Sequence, residues 1–368
     1  MVQVIIRDVL NNEISSIIEE IFARYAVKDK IKNKRVLVKP NLLGAFPPER
    51  GVTTDPRIIL EIVKKLKKYG AKEIIVGDNS GSIHFNPLKI AEVTGILEAS
   101  DGCFTNLANE VIEVKVKSKY LDKLIISQIV READYLINVP KFKTHSLTTI
   151  SGAIKNMFGI IPGGRKAQLH TLSHSVKEFA ELLVDIYQIR IPDLNIMDAI
   201  LGMEGIGPTN GKPRIINKII GSDNGIALDA VMATMMGLKP EAIELLQIAA
   251  ARNLGEIDVS QLAIEGELEI ISDYETPNNG LLQRIRKLAV PYIFNFAKVK
   301  PVVDYRKCKR CQHCVEVCPT SAMKLKNGFP EAERKKCVSC FCCEEHCPYG
   351  AIILPSWPVD LANRLIGK

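Results

Sequence analysis

Two spaced runs of cysteine constrain this chain more than any other feature. Cys308-x2-Cys311-x2-Cys314-x3-Cys318-Pro319 is followed by Cys337-x2-Cys340-x2-Cys343-x3-Cys347-Pro348, the second run beginning 29 residues after the first. Nine of the ten cysteines fall between positions 308 and 347, and Cys103 alone lies outside. Thiols crowded in this way in a reducing compartment bind metal, because disulfides there are rare. An iron-sulfur cubane offers four iron corners, and three cysteines at i, i+3 and i+6 of one tight loop reach three of them. The fourth must arrive from elsewhere, and in the two-cluster pattern the last cysteine of each run serves the other cluster. The spacing therefore predicts two 4Fe-4S clusters. Cys308, Cys311, Cys314 and Cys347 would hold one, and Cys337, Cys340, Cys343 and Cys318 the other. Structural zinc prefers CxxC pairs separated by a longer loop, which a triple CxxCxxC does not supply. Cys342, a ninth thiol inside the second run, is expected to be a small packed side chain.

Residues 300–354, which carry both runs, resemble a bacterial two-cluster ferredoxin domain with every ligand position present. The resemblance implies a small α+β ferredoxin-like domain that passes single electrons at low potential. It also implies a redox partner protein, a ferredoxin or a flavoprotein.

At 368 residues the chain exceeds one typical domain. Residues 1–275 alternate short apolar runs with helical patterns. Arg35–Val38, Glu73–Val76, Tyr135–Val139, Leu194–Met197 and Ile216–Ile220 read as buried strands. Asp55-Pro56 opens a helix running toward Gly70, with further helices over Ser173–Arg190, Asp229–Leu238 and Pro240–Leu254. The alternation predicts an α/β domain, a mostly parallel sheet with helices on both faces. Residues 276–299 read as a connector between the domains, and residues 355–368 as a C-terminal tail.

Polar residues gather just after the expected strands, where open parallel sheets bind ligands. Lys39 and Asn41 follow the first run, and Asp78 and Ser80 the second. Lys141, Lys143 and His145 follow the third, with Lys155 beyond, and Asp198 and Glu204 follow the fourth. Such a cleft suits a small anionic ligand held by lysines. Lys39, Lys143 and His145 are its candidate catalytic groups; Asn41, Asp78, Ser80, Lys141, Lys155, Asp198 and Glu204 would bind the ligand. Ile161-Pro162-Gly163-Gly164-Arg165-Lys166 reads as a turn with a basic tip, and His170 and His174 share the start of a helix. Neither G-x-G-x-x-G before a helix nor G-x4-G-K-[ST] occurs, so nucleotide binding has no positive support.

The net charge of +7 is modest and its basic residues are interleaved with acids, which argues against nucleic acid as a partner. No apolar run reaches the length of a membrane span, and the first twenty residues lack a signal-peptide pattern, so a cytoplasmic protein without a transmembrane segment is expected. The segments VLVKPNLLG, GDNSG, NVPKFKTHSLTTISGAIKNMFG, DAILGMEGIGP and SDNGIALDAV resemble, in order, the family called domain of unknown function 362. That family is in turn distantly similar to the catalytic protein of lactate racemase. The combined reading is an iron-sulfur electron-transfer protein working to or from a ligand or partner at the α/β domain, an oxidoreductase if it is an enzyme. The alternative is a non-redox enzyme, racemase- or lyase-like, on a small anionic substrate, with the clusters structural or sensing.

Overall fold

The structure, a computed structural model, describes residues 2–9, 13–81, 86–173, 175–277, 300–333, 335–338 and 340–353. The chain divides into two compact units. One comprises Met1–Lys166 with Ser175–Pro277, and the other Ala167–His174 with the chain from Asn278 onward.

Among the described residues the first unit is built on a nine-stranded sheet. Its strands are β1 (Gln3–Asp8), β2 (Arg35–Lys39), β3 (Glu73–Val76), β6 (Tyr135–Asn138), β7 (Lys141–His145), β8 (Thr149–Ile150), β9 (Leu194–Glu204), β10 (Lys212–Ser222) and β11 (Ala263–Glu265). A separate hairpin, β4 (Val111–Lys115) and β5 (Lys123–Ser127), stands apart from it. The main order is β11-β1-β10-β9-β6-β2-β3. The β2–β3, β2–β6, β6–β9, β7–β9 and β1–β11 pairs are parallel, and β1–β10, β9–β10 and β7–β8 are antiparallel. The fold is α/β on a mostly parallel sheet.

Successive strand residues point to opposite faces, and both faces are covered. Val36, Val38, Val76, Ile137, Ile196 and Ile219 pack with the apolar sides of helices Ile14–Arg24 and Pro56–Lys68. Leu37, Leu136, Met197 and Ile220 alternate with them and are equally buried. Their side of the sheet meets the nearly all-apolar helix Gly225–Met235. Local caps set the helix starts. Asp55 accepts from Arg57 N at 2.9 Å ahead of Pro56. Ser175 accepts from Glu178 N at 3.2 Å, the Ser-x-x-Glu arrangement of a capping box.

Several expectations are corrected. The fourth strand does not stop at Met197 but runs to Glu204, because its second half pairs with the long antiparallel β10. Lys141–His145 is itself a strand, held by β9 on one side and β8 on the other. The Gly163-Gly164-Arg165-Lys166 turn is the first turn of helix Gly163–Leu172. The helix expected from Asp229 starts at Gly225, where Asn224 accepts from Ile226 N and Ala227 N, both at 3.0 Å. Residues 3–8, assigned no element from sequence, form a strand beside β10.

The second unit holds β12 (Val302–Val303) paired with β15 (Ile352–Ile353), and the hairpin β13 (Met323–Lys326) with β14 (Phe329–Ala332). One short helical turn carries the third cysteine of each run, His313–Glu316 with Cys314 and Cys342–Glu345 with Cys343. The connector from 278 to 299, the tail from 355 to 368 and His174 lie outside the described residues.

Candidate functional site

In the second unit, the antiparallel β12–β15 pair brings the start of the first cysteine run beside the end of the second. The result is two open hollows. One is lined by Cys308, Cys311, Cys314 and Cys347. The other is lined by Cys318, Cys337, Cys340 and Cys343. In each, three cysteines come from one run and the fourth from the other run. Around Cys314 the electrostatics draws the same division, and around Cys343 it reaches across both hollows. Burial, with Cys347, Cys311 and Cys308 beside it, pushes the Cys314 thiol up to about 12. Burial raises Cys343 well above the usual thiol range, with Cys340, Cys318 and Cys337, and Cys314 of the other hollow, acting in the same direction. All ten cysteines are free thiols. No three His, Cys, Asp or Glu among the described residues converge on a single metal ion. A cubane spreads its four ligand sulfurs around eight atoms and needs no such convergence.

Backbone amides already point at the crossing sulfurs. Ala322 N and Met323 N donate to Cys318 Sγ at 3.2 and 3.4 Å, and Ala351 N to Cys347 Sγ at 3.2 Å. Donors of this kind stabilise the thiolate that a metal ligand must become. The donor set, all thiols with preplaced amides, fits an iron-sulfur cluster in each hollow.

In the first unit, the carboxyl ends of β2, β3 and β6 collect a second polar group. Lys39, the last residue of β2, is fully buried, with its Nζ 2.8 Å from Asp78 Oδ1. Asp78 also accepts from Leu42 N at 2.8 Å. Burial pulls the Lys39 amine down, and Asp78 works against that. Lys166 joins them, donating to the carbonyls of Asn79 at 2.5 Å and Ser80 at 3.1 Å. Burial holds its amine down at about 7; Asp78 opposes the shift, while Lys39 and Lys155 add to it. The Lys155 amine lies 4.9 Å from the ring centroid of Phe158 and 5.6 Å from that of Phe179, a cation–π seat. Gly159 closes the group. A Cβ there would lie 2.0 Å from Asp78 Oδ1 and 2.5 Å from Lys39 Nζ.

Asn41 and Lys143 sit next to this group. Lys143 Nζ donates to Asn41 Oδ1 at 2.7 Å and to Val52 O at 2.8 Å. An ammonium can only donate, so Asn41 presents its oxygen there and its Nδ2 to Asn156 Oδ1, at 3.0 Å. Asn156 donates to Asn138 at 2.7 Å, and Asn138 to Asn195 at 2.9 Å. Four amides thus run one way across the strand ends, each polarising the next. Lys141 and Asp198 form a separate buried pair at 2.6 Å, and Asp198 also accepts from Asp55 N at 2.7 Å. His145 Nδ1 accepts from Leu147 N and Thr148 N at 3.1 and 3.3 Å, which puts the proton of the neutral ring on Nε2. Glu204 accepts from Glu275 N at 3.3 Å and faces Arg214 at 3.8 Å.

The structure therefore gathers Lys39, Asp78, Ser80 and Lys155 around Lys166, with Asn41 and Lys143 adjoining. Lys141 with Asp198, His145, and Glu204 are engaged in their own local contacts. Lys39 with Asp78 and Lys141 with Asp198 are two closed pairs, because burial of an ion requires a partner. Sequence reasoning missed Lys166 and Gly159. The signal was present in Gly163-Gly164-Arg165-Lys166, whose helical start tucks the lysine inward.

A thylakoid-associated protein of Synechocystis is 31% identical over 233 residues, covering 60% of this chain and 68% of that protein. Two solved structures align loosely. The lactate racemase apoprotein of Thermoanaerobacterium thermosaccharolyticum is 15% identical over 65% of this chain and 58% of its own, with TM-score 0.41. A structural-genomics protein of Thermotoga maritima is 16% identical over 60% and 57%, with TM-score 0.36. Neither likeness bears on activity. Residues 300–348 match the 4Fe-4S dicluster domain, so the C-terminal unit is an iron-sulfur module. Residues 36–234 match the model described as domain of unknown function (DUF362), and the chain belongs to that family.

Proposed function

We propose that this protein is a one-electron transfer protein with two 4Fe-4S clusters. Cys308, Cys311, Cys314 and Cys347 hold one cluster; Cys337, Cys340, Cys343 and Cys318 hold the other. The observation that carries this reading is the pair of hollows, each lined by three thiols of one run and one of the other. When bound, such clusters accept and release single electrons. The chain's own residues place the eight sulfurs, donate amides to Cys318 and Cys347, and leave Cys311 exposed. The α/β unit then binds a small anionic ligand or a partner that gives or takes those electrons. Lys155, and Lys166 in its protonated form, supply its positive charge. The reading takes the protein as cytoplasmic, a reducing compartment in which crowded thiols bind metal; no helix among the described residues is long and apolar enough to cross a membrane.

Anaerobic preparation tests the reading directly. Iron and sulfide counts should give two clusters, and reduction should produce paramagnetic centres that interact magnetically. Protein holding zinc, or no reducible centre, removes it.

One observation favours the second reading, a non-redox enzyme on a small anion. Lys166 is a buried amine that burial holds at about 7, in the range where a group serves as a general base at neutral pH. Lys166→Met should then abolish turnover of whatever small anion co-purifies, while leaving the iron content unchanged.

A further inference from the structure

The two cysteine loops share a spacing but not a surface. Around the first stand Arg306, Lys307, Lys309 and Arg310, all exposed. At the places of Lys309 and Arg310 the second loop carries Val338 and Ser339. Of the ten cysteines only Cys311 is exposed. In the second run every residue from Cys342 to Cys347 is buried.

Among the described residues the cations of this collar are not neutralised at home. On the neighbouring hairpin Lys324 pairs with Glu333 at 3.3 Å, Lys326 with Glu331 at 3.3 Å, and Lys336 with Glu333 at 3.0 Å. None of the four collar residues forms an ion pair among the described residues. Arg310 is held in place, its guanidinium carbon 4.2 Å from the centroid of Phe329, whose ring Tyr305 meets edge-on at 4.9 Å. A stacked guanidinium is weakly hydrated and already ordered, so little is lost when it meets an opposite charge. Tyr349 lines the same hollow and is 47% exposed. Tyrosine and arginine are the residues enriched where proteins meet.

Four like charges in one short stretch attract an oppositely charged body and raise its encounter rate by about 10 to 10³ fold at low salt. We propose that this collar docks a small acidic one-electron carrier protein over Cys311, making the first loop the port through which electrons enter and leave. The proposal rests on the electron-transfer reading above and adds the partner's charge and its landing place. One electron crosses per encounter. What the carrier loses the protein gains, or the reverse, and no bond is made or broken.

The test uses the anaerobically prepared, cluster-loaded chain and an acidic flavodoxin as probe. The stopped-flow rate should fall about tenfold or more between about 0.02 and about 0.5 M salt, as the charges are screened. A basic cytochrome c should show the opposite trend. Lys309→Val with Arg310→Ser installs the residues the second loop itself carries. It should slow flavodoxin about tenfold at low salt, flatten the salt dependence and weaken the calorimetric Kd in parallel. A flat salt dependence, or a swapped chain with the original rate and slope, overturns the proposal. So does tighter binding of duplex DNA than of flavodoxin. Should the swap cost iron, the salt series on the unmodified chain decides. If the protein shows no reducible centre, the electron-transfer reading fails alone. Salt-sensitive binding of flavodoxin, abolished by the swap, would still uphold the docking surface.

Discussion

The two units place polar groups in the protein interior on opposite terms. At the sheet ends, buried cations close on acceptors: Lys39 on Asp78 and Lys141 on Asp198 as ion pairs, and Lys143 on a neutral amide oxygen and a carbonyl. In the cysteine unit like groups are crowded together, and Cys314 and Cys343 are pushed upward by burial and by the thiols beside them. The first arrangement is complete in itself. The second is satisfied only when a cationic core is added, which is why metal binding and folding are coupled in such modules. Ligand-free stability should therefore reside in the sheet unit, and metal dependence in the other.

The sharpest way to break that contrast is to remove a crossing thiol. Cys318→Ser should cost one entire cluster, and it should be the cluster lost in Cys337→Ser, not the one lost in Cys308→Ser. Iron analysis and the spectra of the reduced proteins distinguish the cases. If Cys318→Ser matches Cys308→Ser, each run serves itself and the exchanged assignment is wrong. Gly159→Ala attacks the other unit. Its Cβ would intrude between Asp78 and Lys39, and breaking a buried pair costs about 3–5 kcal/mol. Denaturant midpoints should drop accordingly while the iron content holds. An unchanged midpoint would mean that the pair does not need the glycine.

Lys166 offers a finer probe, through pH. Its amine sits at about 7 in the fold against about 10.4 in an unfolded chain. Between those values the unfolded state binds the extra proton, so stability rises with pH, by up to about 1.4 kcal/mol per unit. Below about 7 both states are protonated and the burial penalty is constant. Relative to Lys166→Met, the unmodified protein should therefore gain stability from pH 7 to 10 and run parallel below pH 6. Parallel curves throughout would show that the amine keeps its usual affinity for protons.

The same contrast explains what the sequence could reveal. The cysteine ligands lie within 40 residues, and a cubane's fixed size dictates their spacing, so the hollows follow almost residue for residue from the repeat. The sheet-end group draws on positions 39, 78, 155, 159 and 166. The rule that polar residues gather after strands locates Lys39, Asp78, Ser80 and Lys155. It says nothing of which lysine pairs with which carboxylate, because pairing depends on strand order and register. Lys166 was hidden by local chemistry: Gly163-Gly164 reads as a turn, whereas tertiary burial extends a helix through it. Likewise β9 passes beyond Met197 because β10 is there to pair with it, a partner invisible to local pattern.

The smallest expected effect separates the two cysteine loops from one another. Cys342 is buried beside Cys340, and its thiol, offered as a donor to that sulfur, draws the Cys340 group's affinity for protons down. The first loop has His313 at the corresponding place, half-buried and without a thiol. A donor to a ligand sulfur withdraws electron density and raises the reduction potential of the centre it serves. Cys342→Ala should therefore lower the potential of one centre and leave the other in place, and Cys342→Ser, which keeps a donor, should restore most of the difference. Potentiometric titration followed by paramagnetic resonance reads both centres in one sample. Equal shifts in the two centres, or none in either, would mean that the ninth thiol only fills space.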